Sequence, residues 1–135
     1  MDENIWVISL KLTADQKGRQ AEKQAQQFLE LKGYKIITQR YKSKWGEIDL
    51  IAAHEETLIA VEVKYRRYYN DAASSISLRQ KKRILNTLRY FISEYQDVNL
   101  KYPFLRIDVV LLSDLTNPIH IMNAWQTQDD IYEFQ

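Results

Sequence analysis

The residues with the clearest chemical potential form two short runs, Gly46-Glu47-Ile48-Asp49-Leu50-Ile51-Ala52 and, thirteen positions after Asp49, Glu62-Val63-Lys64. Both runs are strand-like, and in an extended strand alternate side chains share a face. Glu47 and Asp49 are therefore expected on one face, with Ile48, Leu50 and Ala52 on the other. In the second run Glu62 and Lys64 share a face, with Ile59, Val61, Val63 and Tyr65 opposite. A hairpin that sets Asp49 across from Glu62 and Glu47 across from Lys64 gathers all four charged groups on one face. Slipping it by one residue would set each carboxylate against the other strand's apolar set, and a slip of that kind turns every side chain over.

Such a gathering is costly as plain structure, because like charges directly opposite repel and partly buried carboxylates lose hydration. A divalent cation between Asp49 and Glu62 offsets both costs. The chain has no cysteine and only two separated histidines, so an all-oxygen site suits Mg²⁺ or Mn²⁺ rather than zinc. The expected chemistry is phosphoryl transfer, with the ion polarising a phosphodiester oxygen and lowering the pKa of a bound water. Lys64 would orient that water or neutralise charge developing in the transition state. The same residues also read as an ion-paired polar face in which Lys64 bridges Glu47 and Glu62 without a metal.

Periodicity supplies the elements that must hold these runs in place. Thr13 or Asp15 caps a helix running to about Lys32, with Ala21, Ala25, Phe28 and Leu29 at helical spacing and Gly33 as its stop. Tyr34 to Tyr41, Glu47 to Ala53 and Leu58 to Arg66 read as three strands in a meander, the last two joined by the polar turn from His54 to Thr57. After a polar connection from Asn70 to Ser77, Leu78, Ile84, Leu85, Leu88, Phe91 and Ile92 mark a second long helix ending near Tyr95. Leu105 to Leu112 reads as a buried strand, and Ile119 to Met122 as a short last one.

The 135 residues, 45% hydrophobic and 27% charged, fit one globular domain, read as residues 13–135 after a leader of residues 1–12. Glycine occurs singly at positions 18, 33 and 46, which excludes dinucleotide fingerprints and P-loops, since those need several close backbone approaches in one turn. No HExxH pair is present, and His54 and His120 read as turn and strand residues. The acidic start and the lack of a long apolar run point to a cytoplasmic protein with no membrane partner.

A net charge of +1 conceals an asymmetry. From Lys64 to Arg89 there are eight basic residues and one acid; from Lys32 to Gly46 there are five basic residues and no acid; from Ile107 onward there are five acids and no Lys or Arg. Arg66, Arg67, Arg79, Lys81, Lys82 and Arg83, interleaved with Tyr65, Tyr68, Tyr69 and Tyr90, suit a phosphate backbone, although a solvated helix face would have the same composition. Trp6, Trp45 and Trp125 read as packing residues, with Trp45 a candidate for the nucleic-acid face. Asp108 reads as a structural acid beside Arg106.

Taken together, Gly46-Glu47-Ile48-Asp49-Leu50-Ile51 and Val61-Glu62-Val63-Lys64-Tyr65-Arg66 resemble the YraN family of bacterial proteins, within the PD-(D/E)XK nuclease superfamily. Gly18-Arg19-Gln20-Ala21-Glu22, Gln80-Lys81-Lys82-Arg83-Ile84, Arg106-Ile107-Asp108-Val109-Val110 and Ile119-His120-Ile121 through Ala124-Trp125 extend the resemblance over nearly the whole chain after the first dozen residues. It departs in the length of the leader and in Trp125, where phenylalanine is more usual.

The resemblance implies an α/β fold, a restriction-endonuclease-like three-layer core with a mixed central β-sheet flanked by helices, similar to archaeal Holliday-junction resolvases. It also implies that Asp49, Glu62 and Lys64 are catalytic, that Asp49, Glu62, Val63 and Glu22 hold Mg²⁺ or Mn²⁺, and that Glu22 completes the site from the first helix. Read without it, Glu22 is an exposed acid pairing with Arg19 or Gln26. Glu47 takes a supporting place behind the ligands, and Gln80 and Lys81 lie where superfamily members often meet phosphate. The expected activity is metal-dependent hydrolysis of DNA, including branched or Holliday-junction DNA, with RNA open to the same chemistry. The competing expectation is a non-catalytic nucleic-acid-binding accessory protein of recombination, repair or DNA uptake. Junction resolution needs paired sites, and so a homodimer, with the Tyr132-Glu133-Phe134 tail a candidate contact.

Overall fold

The computed structural model describes residues 13–68 and 76–124. The leader, Tyr69, Trp6, Trp125 and the tail around Tyr132 lie outside the described residues, as does most of the polar connection before the second helix.

Helix α1 spans Ala14–Leu31. Its first turn is closed by a capping box: Thr13 Oγ1 accepts from the Gln16 N–H at 3.1 Å, and Gln16 Oε1 accepts from the Thr13 N–H at 2.9 Å. Its far end is closed by paired bonds from the Gly33 N–H to Glu30 O and from the Tyr34 N–H to Leu29 O, both 3.0 Å. Gly33 has a φ of +89°, the left-handed conformation that this ending requires.

Strands β1 (Lys35–Ser43), β2 (Gly46–His54) and β3 (Thr57–Tyr65) follow as an antiparallel meander. Helix α2 (Leu78–Glu94), with Ser77 accepting from the Gln80 N–H, carries the chain over to β4 (Phe104–Leu112), which runs parallel to β3. β5 (Ile119–Ile121) adds antiparallel to β4, giving the order β1-β2-β3-β4-β5. The short helix α3 (Gln96–Lys101) was not anticipated, because it buries none of its residues and so lacks an apolar period.

The five-stranded mixed sheet is covered on both faces. Ala21, Ala25 and Leu29 of α1 pack on Leu50, Ala52, Ile59, Val61, Val110 and Leu112. Ile84, Leu88 and Phe91 of α2 pack on Ile48, Ile51, Leu58, Ala60, Ile107 and Val109. Two alanines on α1 let that helix lie close to the sheet. The expected three-layer α/β core is therefore present, and no helix among the described residues is long and apolar enough to cross a membrane.

The cores correct one expectation about β2. Ile48 and Leu50 do not share a face: Ile48 enters the α2 core and Leu50 the α1 core. The reason lies in β1, where Arg40 has a φ of +49° and the β1–β2 ladder passes from Gln39↔Leu50 to Tyr41↔Ile48. That left-handed residue interrupts the pleat, and the alternation breaks at Asp49. β3 keeps its period, with Ile59, Val61 and Val63 packed toward α1.

Beside β4, Asp108 is fully buried and accepts from Arg106 at 2.8 and 2.9 Å, from the Asn123 N–H at 2.9 Å and from His120 Nε2 at 2.7 Å. The structural role read for Asp108 beside Arg106 is thus observed. Its link to His120 was invisible in sequence, because the partner comes from β5 across the sheet.

Candidate active site

The site forms where β2 and β3 part. Their ladder has the register expected from face matching, Leu50↔Val61 through His54↔Thr57, but it ends at Leu50 and Val61. Beyond that point side chains replace backbone pairing. Asp49 Oδ2 accepts from the Val63 N–H at 2.8 Å, and the Asp49 backbone amide acts favourably on the Glu62 carboxylate. Asp49 is thereby fixed to the strand that carries Glu62.

Both carboxylates are half-buried. Burial raises Asp49 from its ordinary 3.8 to about 6, opposed by the Val63 hydrogen bond and reinforced by the charges of Glu22 and Glu47. Glu62 rises from 4.5 to about 8, first by burial and then by the charge of Asp49, with Lys64 opposing. The Lys64 ammonium is lowered, chiefly by burial and next by Arg66, while Glu62 works the other way. These shifts mark a pair of acids with too little positive charge around it, the setting in which a cation or a proton is taken up.

Other elements supply the surround. Gln80, in the first turn of α2, directs Nε2 at Glu62 Oε2 from 3.5 Å. Glu47 is exposed but close enough for its charge to act on both acids. The β1–β2 hairpin is pinned to α2 by Ser43 Oγ and Thr87 Oγ1, 3.0 Å apart, and by Trp45 against Tyr90 with ring centroids 5.7 Å apart. Gly46, at a φ of +152°, opens β2 directly against Arg83.

Glu22 reaches the site from α1, and its charge acts on Asp49. Its carboxylate is held by Arg40, whose Nε donates to Oε2 at 2.7 Å. Neither Arg19 nor Gln26 is its partner: Arg19 pairs with Asp15 at 3.2 Å, and Gln26 accepts from Gln39. Arg40 is the site residue that sequence reasoning missed, and its place in a basic, acid-free segment was the one available signal. Alongside it a solvent-open groove of about 690 Å³ runs between α1 and β1.

The donor set is tested by what is gathered. Among the described residues no three His, Cys, Asp or Glu side chains come together as a metal cage. Asp49 and Glu62 remain, with the Val63 carbonyl available on the same strand. Two hard carboxylate donors fit Mg²⁺ or Mn²⁺, since Mg²⁺ keeps several waters and is commonly bound through one or two carboxylates.

The basic surface divides. Arg66, Arg67, Arg79, Lys82 and Arg83 are exposed, whereas Lys81, read with them as a nucleic-acid contact, is only 8% exposed and belongs to the inner face of α2. Tyr65, Tyr68 and Tyr90 are exposed near these cations, and Trp45 is 38% exposed with Lys44 over its ring.

A mixed sheet covered on both faces, whose central strands part around two half-buried acids, defines an α/β protein with a candidate functional site at that parting. The family model described as Uncharacterised protein family UPF0102 matches residues 21–112. The chain is 36% identical over 116 residues to a UPF0102 protein of Sinorhizobium medicae, covering 86% of this chain and 93% of the relative. It is 34% identical to one of Psychromonas ingrahamii, covering 84% and 92%, and 32% identical to one of Nitrobacter winogradskyi, covering 86% and 97%. The chain belongs to family UPF0102, the YraN family that its motifs resemble.

Proposed function

We propose that this protein is a metal-dependent endonuclease that hydrolyses DNA phosphodiester bonds, with branched DNA, including Holliday junctions, among its substrates. The observation that carries the reading is the half-buried pair Asp49 and Glu62 at the parting of β2 and β3, Asp49 held by the Val63 N–H, with both acids pushed up in pKa and Lys64 beside them. As plain structure this pair is a liability; as a cation site it is useful. A bound Mg²⁺ or Mn²⁺ would supply Lewis-acid polarisation of the phosphodiester and activation of water.

Asp49, Glu62 and the Val63 carbonyl would hold the cation, with Glu22 joining them once released from Arg40. Lys64, lowered in pKa, gives up a proton more readily than an ordinary lysine and is suited to orienting a nucleophilic water or meeting charge on the phosphate. Gln80 steadies the Glu62 carboxylate. Arg66, Arg67, Arg79, Lys82 and Arg83 offer the sequence-independent phosphate contacts that hold a strand across the site. RNA would serve the same chemistry, which takes place at phosphate. Two copies would be needed to cut a junction on both sides, and the reading places the protein in the cytoplasm.

The second reading is a non-catalytic nucleic-acid-binding accessory protein of recombination, repair or DNA uptake. It is favoured by the engagement of Glu22 with Arg40, which leaves two carboxylates where the resemblance implies three. Incubation with linear, flapped and four-way-junction DNA in Mg²⁺, Mn²⁺ and EDTA, beside the Glu62→Ala variant, separates the readings on denaturing gels. Metal-dependent cutting absent from the variant supports the nuclease; binding without cutting in every metal supports the accessory protein.

A further inference from the structure

Arg40 is held in an unusual way. Its φ of +49° lies where residues other than glycine and asparagine are disfavoured, and the ladder pairs the residues on either side of it. This kink carries the guanidinium to α1, where Nε meets a single oxygen of Glu22. A guanidinium has five N–H donors in a planar fork, so one bond leaves most of that fork to other partners. The side chain is 33% exposed and lines the α1–β1 groove with Arg19, Lys23 and Gln39.

Neutralising Glu22 needs no such device. Arg19 stands three residues before it on the same helix and pairs with Asp15 instead. Backbone strain kept at a site is commonly tied to what the residue must do there, and a guanidinium fork is the side chain best matched to phosphate.

We infer that Arg40 is a phosphate-positioning residue: it rests on Glu22 and transfers to a phosphate of the nucleic-acid strand lying in the α1–β1 groove, releasing Glu22 toward Asp49. The inference rests on the nuclease reading and deepens it by giving the substrate strand a path along α1. It also makes Glu22 available to a cation only when a strand is in place.

The test compares wild type with Arg40→Asn, which tolerates the left-handed backbone, and with Arg40→Lys, which keeps the charge but loses the fork. Binding to a labelled four-way junction is measured in EDTA across a salt series. Arg40→Asn is expected to weaken binding about tenfold and to lower the slope of log K against log salt by about one, and Arg40→Lys to restore the slope. In Mn²⁺ without nucleic acid, Arg40→Asn, with Glu22 freed, is expected to reach half its thermal shift at a several-fold lower Mn²⁺ concentration.

A purely structural role would lower the melting temperature and leave the salt slope unchanged, and an unchanged slope overturns the inference whatever the Mn²⁺ midpoint does. Should Arg40→Asn fold poorly, Arg40→Gly, at ease at the same φ, carries the comparison. Wild type that cuts and binds while Arg40→Asn keeps its slope leaves the nuclease reading intact and removes only Arg40. Wild type that binds no nucleic acid removes both.

Discussion

Asp49 takes the backbone N–H of Val63, 2.8 Å away, one step past the last rung of the β2–β3 ladder. The carboxylate therefore does two jobs, satisfying a donor that the parted strands leave behind and contributing its charge to the acid pair. The two jobs can be separated by substitution. Asp49→Ala leaves the Val63 N–H without its partner and should cost about 1–3 kcal/mol. Asp49→Asn keeps an acceptor and removes a half-buried charge, so it should cost well under that or stabilise the metal-free protein at pH 8. Urea unfolding of both variants in EDTA measures the difference, and equal losses would refute the capping role.

The raised acids give the metal-free protein a distinctive pH dependence. A carboxyl whose folded pKa exceeds its unfolded value contributes stability that is complete below the unfolded pKa and is lost as pH rises through the folded one. With Asp49 at about 6 and Glu62 at about 8, the melting temperature in EDTA should fall between pH 5 and pH 8.5. Asp108, lowered by His120 and Arg106 against the effect of burial, has the opposite sign and acts only at more acid pH. Mn²⁺ should restore the loss at pH 8 and do little at pH 5, which thermal scans with and without the ion will report.

Lys64 is expected to matter for turnover rather than for assembly. Lys64→Met should reduce cleavage by about 10²–10³-fold while leaving the Mn²⁺-induced thermal shift in place. A variant that loses the shift as well would assign Lys64 to holding the acids, not to the reaction.

The exposed and buried cations of α2 should separate in binding. Arg79→Glu with Lys82→Glu reverses two exposed charges and should flatten the salt dependence of nucleic-acid binding by about two in slope. Lys81→Glu alters a buried position and should appear first as a lowered melting temperature. Salt-series binding and thermal scans on the same samples distinguish them.

The strands, the two long helices and the register of β2 with β3 were legible because each rests on local pattern: period 2, period 3.6, a capping residue, and a face match that a one-residue slip would ruin. Most of what escaped has a non-local cause. The broken alternation at Asp49 comes from Arg40 on the neighbouring strand, and nothing in the order Gln39-Arg40-Tyr41 announces a left-handed residue. The Glu22–Arg40 pair joins residues eighteen apart on different elements, so helix-local partners looked sufficient. Lys81 was grouped with the surface by its charge, although its spacing of three from Leu78 and Ile84 puts it on the inward face of the helix. His120 looked solitary because its acid partner lies on another strand.

The order of the strands also bears on how the molecule comes together. β2 and β3 are joined through Glu55 and Glu56, and their closest rung links His54 to Thr57, whereas every rung between β3 and β4 links residues 47 apart, beginning with Thr57 and Phe104. Contacts close in sequence cost little chain entropy to form, and distant ones are slow. The hairpin bearing Asp49 and Glu62 thus closes over a two-residue turn, whereas the pairing of β3 with β4 encloses both α2 and α3 within its loop.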